Sequence, residues 1–208
     1  MPNADEMITL AWRFFCARVA GGLLKPSNEK MMQLQLAQIL QSLAPLYESS
    51  SNESYKILLE YPVRLNTSTA IIDIVIEHTL AQVVARTAIE LKCYRLYSNN
   101  SDTRKRGAQN LGMYDYWADI ENIEQYCDLQ DFDSAFHLTL TDDPYYVEAP
   151  HAGAQVSTFS TNKNRSGISG TYKHAVANRE GSVTLKGTYS MPWTNIGSFY
   201  FIFQRADV

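Results

Sequence analysis

Asp73, Glu90 and Lys92 are the side chains of this sequence whose types and spacing could do chemistry. They lie in two strand-like runs, residues 71–76 (IIDIVI) and 88–94 (AIELKCY). A strand points alternate side chains to opposite faces. Glu90 and Lys92 therefore share one face, Ile89, Leu91 and Cys93 the other, and Asp73 goes with Ile71 and Val75. The short connection over 79–83 predicts an antiparallel hairpin turning near Ala81–Gln82. Asp73 then comes opposite or diagonal to Glu90, where paired residues stand about 5 Å apart. Charges on a buried sheet face are costly unless paired or metal-bound, and two carboxylates alone would repel until one took a proton. A divalent cation removes that conflict, and hard oxygen ligands suit Mg²⁺. A lysine beside it can position or deprotonate a water. Together these are the parts needed to hydrolyse a phosphodiester.

Asp73 followed by Glu90-Leu91-Lys92 resembles the PD-(D/E)xK motif of the restriction-endonuclease-like nuclease superfamily, although Ile72 stands where that motif has proline. The resemblance implies an α/β fold with a central mixed β-sheet flanked by helices. It implies Mg²⁺, with Mn²⁺ as the alternative ion, held by Asp73, Glu90 and the Leu91 carbonyl, and Lys92 serving the attacking water. The family often takes a further acid from a preceding helix. Glu29 is the candidate here and Glu60 the outside one; an acid in a first helical turn also simply favours the helix dipole. Some members place a Gln and, four residues on, a Tyr on the helix after the motif. Gln109 is followed at that spacing by Met113, so Gln109, Asn110 and Tyr114 are weaker candidates. The run TDDPYY (141–146) with the C-terminal strand is similar to small uncharacterised bacterial proteins of that superfamily. The function implied is a metal-dependent nuclease, on DNA before RNA, with an RNA nuclease or a structure-specific resolvase as further readings that the sequence does not separate. Such enzymes often cut two strands as homodimers. The rival class is an inactive module of the same fold that binds nucleic acid or a protein partner. Acidic charge and the incomplete helix motif favour it, and the complete Asp/Glu/Lys set disfavours it.

The chain has 208 residues, a length suited to one domain. Its net charge of −4 argues against a general electrostatic duplex binder without excluding a local basic rim. Cys16, Cys93 and Cys127 are odd in number and widely spaced, which suggests neither a disulfide framework nor a zinc site and fits a reducing cytoplasm. The apolar stretch 7–24 is broken by Arg13, Arg18 and Gly21-Gly22, so no membrane span is expected.

The elements that must position the motif follow from periodicity. Residues 1–54 read as helices. The first, 4–20, carries Ile8, Trp12, Phe15 and Val19 at helical spacing. The second starts at Pro26-Ser27 with Ser27 as N-cap, and has a stripe of Leu36, Leu40, Leu43 and Tyr47 with Glu29 projecting onto it. Residues 55–146 form the core with the motif. Its first strand, 55–65, is marked by Pro62 as an edge or bulge. A helix over 104–126 buries Met113, Trp117 and Ile120, with Arg106 and Gln109 on the same side, and strand 135–141 carries His137, read as a core residue. Asp142 and Asp143 suit a turn or cap. Arg104, Lys105 and Arg106 crowd a helix N-terminus against its dipole, so they could contact a phosphate backbone. Residues 147–208 are a polar loop and final strands (183–189, 197–204). Lys163 and Arg165 in that loop are further phosphate candidates. From sequence alone, Lys92→Ala is expected to abolish cleavage with the Tm near wild type or higher.

Overall fold

The computed structural model describes residues 4–65, 69–97, 108–129, 131–150, 155–176 and 179–207. The chain runs α1 (Ala4–Ala20), α2 (Glu29–Tyr47), β1 (Glu53–Arg64), β2 (Thr69–Leu80), β3 (Val83–Tyr94), α3 (Gln109–Cys127), β4 (Ser134–Thr141), β5 (Ile168–Val176), β6 (Arg179–Tyr189), β7 (Thr194–Ile196) and β8 (Phe199–Arg205), with short 3-10 turns at Pro144–Tyr146 and Gln155–Phe159. It is an α/β protein whose central mixed sheet has the order β1-β2-β3-β4-β8-β7. Only β3 and β4 run parallel in it, joined through α3, as a parallel pair requires a crossover. The pair β5-β6 forms a separate hairpin.

Strand alternation sorts the core into two layers. Ile74, Ile76, Ile89, Leu91 and Cys93 face α1 and α2, whose buried stripes include Met7, Trp12, Phe15, Leu36 and Leu40. Val75, Ala88 and Ala135 face α3, through Tyr116, Ile120 and Ile123, and the β5-β6 hairpin, through Ile168, Val183, Leu185 and Tyr189. No helix among the described residues is long and apolar enough to cross a membrane.

Several boundaries differ from expectation for local reasons. Helix α2 starts at Glu29 with Asn28, not Ser27, as its cap; Asn28 Oδ1 accepts from the Met31 N–H at 2.9 Å. The hairpin strands are longer than the apolar runs, because Ala81 and Gln82 both take positive φ (48° and 70°) and close a two-residue turn whose twist suits β2 and β3. Pro62 lies on β1, at the sheet edge. Helix α3 starts at Gln109, after Ala108 in the left-handed region; Arg104, Lys105 and Arg106 lie outside the described residues. Strand β5 was not expected at all.

Gly112 lets α3 close on a stacked pair, Tyr94 and Tyr146, with ring centroids 4.2 Å apart. The Tyr94 hydroxyl donates to the Gly112 carbonyl at 2.6 Å, and a Cβ on Gly112 would meet the Tyr146 oxygen at 2.5 Å. Gly112→Ala is therefore expected to lose stability. Overpacking costs about 1–3 kcal/mol, more than the roughly 1 kcal/mol gained in helix propensity. Thermal denaturation checks this, and a raised Tm would show that the tyrosine pair yields freely.

Candidate functional site

The two motif strands part at the motif. Register runs from Leu80↔Val83 to Ile74↔Ile89 and stops there; its next step would pair Asp73 with Glu90. Beyond it β2 continues with β1 alone, as far as Thr69, and β3 with β4 alone, as far as Tyr94. The Asp73 carboxylate takes over the missing ladder contact: its Oδ2 accepts from the Leu91 N–H at 2.9 Å. A buried N–H that a neighbouring strand would have satisfied thus fixes an acid in the split.

Through this split α2 and α3, on opposite faces of the sheet, reach the same groups. From α2, Gln33 donates to the Asp73 carbonyl at 2.6 Å, Lys30 Nζ stands 3.8 Å from Asp73 Oδ1, and Glu29 Oε2 lies 3.5 Å from Lys92 Nζ. From α3, Asp119 Oδ2 lies 2.7 Å from Lys92 Nζ, and the Tyr126 hydroxyl donates to Glu90 Oε1 at 2.6 Å. The Lys92–Asp119 contact is an ion pair rather than an aligned hydrogen bond. On β4, His137 stands beside Glu90 in the parallel register. It is fully buried, with Nε2 a long 3.4 Å from Asp119 Oδ2 and Nδ1 3.1 Å from the Thr139 hydroxyl.

Protonation follows from burial and the balance of charge. Acids outnumber lysines here: Glu29, Glu60, Asp73, Glu90 and Asp119 against Lys30 and Lys92. Glu90 is 6% exposed. Burial, then the charges of Asp119 and Asp73, push its carboxyl well above the ordinary range. Burial also raises Asp73, against the Leu91 N–H and Lys92, and raises Glu29, against Lys92. For Asp119 burial acts upward, but the His137 contact and the Lys92 charge outweigh it and hold the acid below its usual value. Burial opposes the Lys92 charge, yet Asp119 and Glu29 outweigh it and keep the ammonium above its ordinary value. Burial lowers His137, so its ring is neutral at pH 7.

The structure thus brings together Asp73, Glu90, Lys92 and Glu29 from the sequence reading. Glu60 reaches the site from β1, where its Oε1 lies 2.5 Å from Lys30 Nζ and 2.6 Å from Gln33 Nε2. The remaining candidates are engaged elsewhere. Gln109 Nε2 lies 3.4 Å from Asp143, Asn110 accepts from the Tyr145 hydroxyl at 3.0 Å, and Tyr114 Oη is 3.4 Å from the Ser182 carbonyl. Lys163 pairs with Glu148 at 2.9 Å. Arg165 donates to the Ser160 carbonyl at 2.7 Å and lies over the rings of Trp117 and Tyr172, which packs the C-terminal segment onto α3. Asp143 caps the Pro144–Tyr146 turn through the Tyr145 N–H, and Asp142 pairs with Arg95.

Sequence reading missed Asp119 and Tyr126 and took His137 for an isolated core residue. A signal for Asp119 existed. Tyr116, Asp119, Ile123 and Tyr126 recur at intervals of three and four, so Asp119 is an acid on an otherwise apolar stripe.

Among the described residues no three His, Cys, Asp or Glu side chains stand close enough to hold a metal as they are placed. Mg²⁺ does not require three, since it keeps several waters and is commonly held by one or two carboxylates. The excess of buried acids, with Glu90 driven toward protonation, fits a cation in the split. No protein-family model, curated protein or solved structure matches the chain.

Proposed function

We propose that this protein is a divalent-metal-dependent nuclease acting on DNA, with a restriction-endonuclease-like core. The observation that carries the reading is the parting of β2 and β3 at Asp73, which leaves Asp73, Glu90 and Lys92 at one split in the sheet that α2 reaches from one face and α3 from the other. Asp73, Glu90 and the Leu91 carbonyl are the groups that would hold Mg²⁺ or Mn²⁺. When bound, the cation supplies Lewis-acid stabilisation of the charge that grows on phosphate oxygens. The chain's own residues do the rest. The Leu91 N–H fixes the Asp73 carboxylate and the Gln33 amide its main-chain carbonyl. Tyr126 holds one Glu90 oxygen, Oε1, by a hydrogen bond from its hydroxyl. Lys92, kept protonated by Asp119 and Glu29, acts as a fixed cation that orients the attacking water and offsets charge, rather than as the base.

The test is cleavage of supercoiled plasmid, single-stranded DNA and RNA with Mg²⁺ or Mn²⁺, against EDTA and Lys92→Ala. Metal-dependent cutting of DNA that is lost in the variant is the expected result. Cutting of RNA alone would change the substrate class. No cutting and no metal-induced thermal shift would favour the second reading, an inactive module of the same fold. One observation speaks for that reading: Lys92 is already neutralised from two sides.

A further inference from the structure

Glu60 is the residue of the central sheet that breaks its own strand. Register along β1 and β2 is unchanged from Leu59↔Ile74 to Tyr61↔Ile72, so Glu60 faces Asp73 at the one step where the pair is absent. There its φ is 53°, in the left-handed region, which costs a side-chain-bearing residue in mid-strand energy that glycine would not incur. The twisted step turns the Glu60 carboxylate toward α2. Its Oε1 takes both the Lys30 ammonium, at 2.5 Å, and the Gln33 amide, at 2.6 Å. Both partners also touch Asp73. Gln33 donates to its carbonyl at 2.6 Å, while Lys30 stays 3.8 Å from its Oδ1. Gln33 is 4% exposed, so its amide is committed between the two acids.

We propose that Glu60 is a positioning residue for Asp73: it anchors Gln33 against the Asp73 main chain and draws Lys30 off the Asp73 carboxylate, which stays open to a divalent cation. The cation's part in this rests on the nuclease reading; the effect on Asp73 does not. Without Glu60, the remaining acid at ion-pair distance from Lys30 is Asp73, which acts on it more strongly than Glu29 does, and Lys30 would neutralise it. A strained acid kept on an exposed edge strand, where its ion pair with a mostly exposed lysine adds little stability, has its account in what it does to Asp73.

The experiment compares wild type, Glu60→Gly, Glu60→Gln and the double variant Lys30→Met/Glu60→Gly. It reads Tm, amide exchange of Leu91, Mn²⁺ affinity and cleavage. Glu60→Asn, which tolerates the same backbone but is too short to reach α2, replaces Glu60→Gly if that variant fails to fold. In Glu60→Gly the Tm is expected to be unchanged or higher while Leu91 exchanges several-fold faster, because its N–H reports the placement of Asp73. Mn²⁺ affinity is expected to fall on the order of tenfold, as for groups that orient ligands. Glu60→Gln, which still accepts from Gln33, should stay closer to wild type in Leu91 exchange. Lys30→Met should restore Mn²⁺ affinity in the Glu60→Gly background, which a merely structural role would not produce. Leu91 exchange as in wild type in Glu60→Gly would overturn the proposal, as would failure of Lys30→Met to restore a lost affinity. If wild type neither binds Mn²⁺ nor cleaves while Leu91 exchange still responds, the nuclease reading falls and the positioning of Asp73 by Glu60 stands.

Discussion

Lys92→Ala is expected to bring DNA cleavage below detection and to lower the Tm by roughly 10 °C. The loss of cleavage follows from removing the one lysine on the Glu90 side of the split among the described residues. The loss of stability departs from what the sequence alone suggested. On the sequence alone Lys92 shares its strand face with Glu90, and its removal is expected to leave the Tm near wild type or higher. In the structure its ammonium lies between Asp119 at 2.7 Å and Glu29 at 3.5 Å, and it is the nearest positive charge to a group of acids that already repel one another. Deleting one partner of a buried ion pair costs about 3 kcal/mol or more, which at about 2–4 °C per kcal/mol for a chain of this size gives the stated shift. Because the Lys92 side chain is 18% exposed, the cost is set at about 3 kcal/mol, the low end of the roughly 3–5 kcal/mol for breaking a buried pair. Thermal denaturation in EDTA, with cleavage assayed well below both transitions, separates lost chemistry from lost folding. A variant that still cuts would remove Lys92 from the mechanism. A Tm within a degree of wild type would mean that water screens the pair.

The hairpin was legible because its information is local. Alternation in IIDIVI and AIELKCY gives the faces, and a two-residue turn sets the register that brings Asp73 level with Glu90. Other contacts depend on where elements dock, which local pattern does not contain. Resemblance to the family's helix motif pointed to Gln109, Asn110 and Tyr114, in the first two turns of α3. The helix meets the acids further along, at Asp119 and again two turns later at Tyr126. His137 looked like a core histidine and is one, but the core it fills lies directly behind Lys92 and Asp119. The left-handed turn at Glu60 has no sequence signature, since Glu is an unfavoured residue for it. Strand β5 was invisible for another reason. The hairpin it forms buries only one face on α3, and the alternation is clear only in β6, where Val183, Leu185 and Tyr189 are buried.

Glu90→Gln is expected to abolish cleavage and, in EDTA, to raise the Tm by about 5 °C at pH 8, with the gain shrinking as the pH falls. Glu90 is a buried acid whose carboxyl is raised first by burial and then by Asp119 and Asp73. The unfolded chain ionises this group near the ordinary glutamate value of about 4.3, while the folded chain holds the proton to higher pH. Its contribution is therefore fully present below about pH 4.3 and is lost as pH rises through the folded-state pKa. Glutamine, of the same shape, keeps an oxygen for the Tyr126 hydroxyl and has no charge to desolvate; above the folded-state pKa, each unit by which folding raises the carboxyl costs wild type about 1.4 kcal/mol that glutamine does not incur. Asp73 and Glu29 are raised in the same direction, so the variant's pH dependence is reduced rather than removed. Asp119 and Glu60 are lowered and act the other way, gaining stability as pH rises. Bound Mg²⁺ would reverse the picture at Glu90 and Asp73, since a cation rewards ionised carboxylates: wild type should then be stabilised by Mg²⁺ more strongly as pH rises, and Glu90→Gln, left with Asp73, should respond much less. Melting curves of both proteins from pH 5 to 9, with Mg²⁺ and with EDTA, decide it. A Tm gain that is the same at every pH would show that Glu90 is not the strained acid, and an undiminished Mg²⁺ response in the variant would remove Glu90 from the cation's ligands.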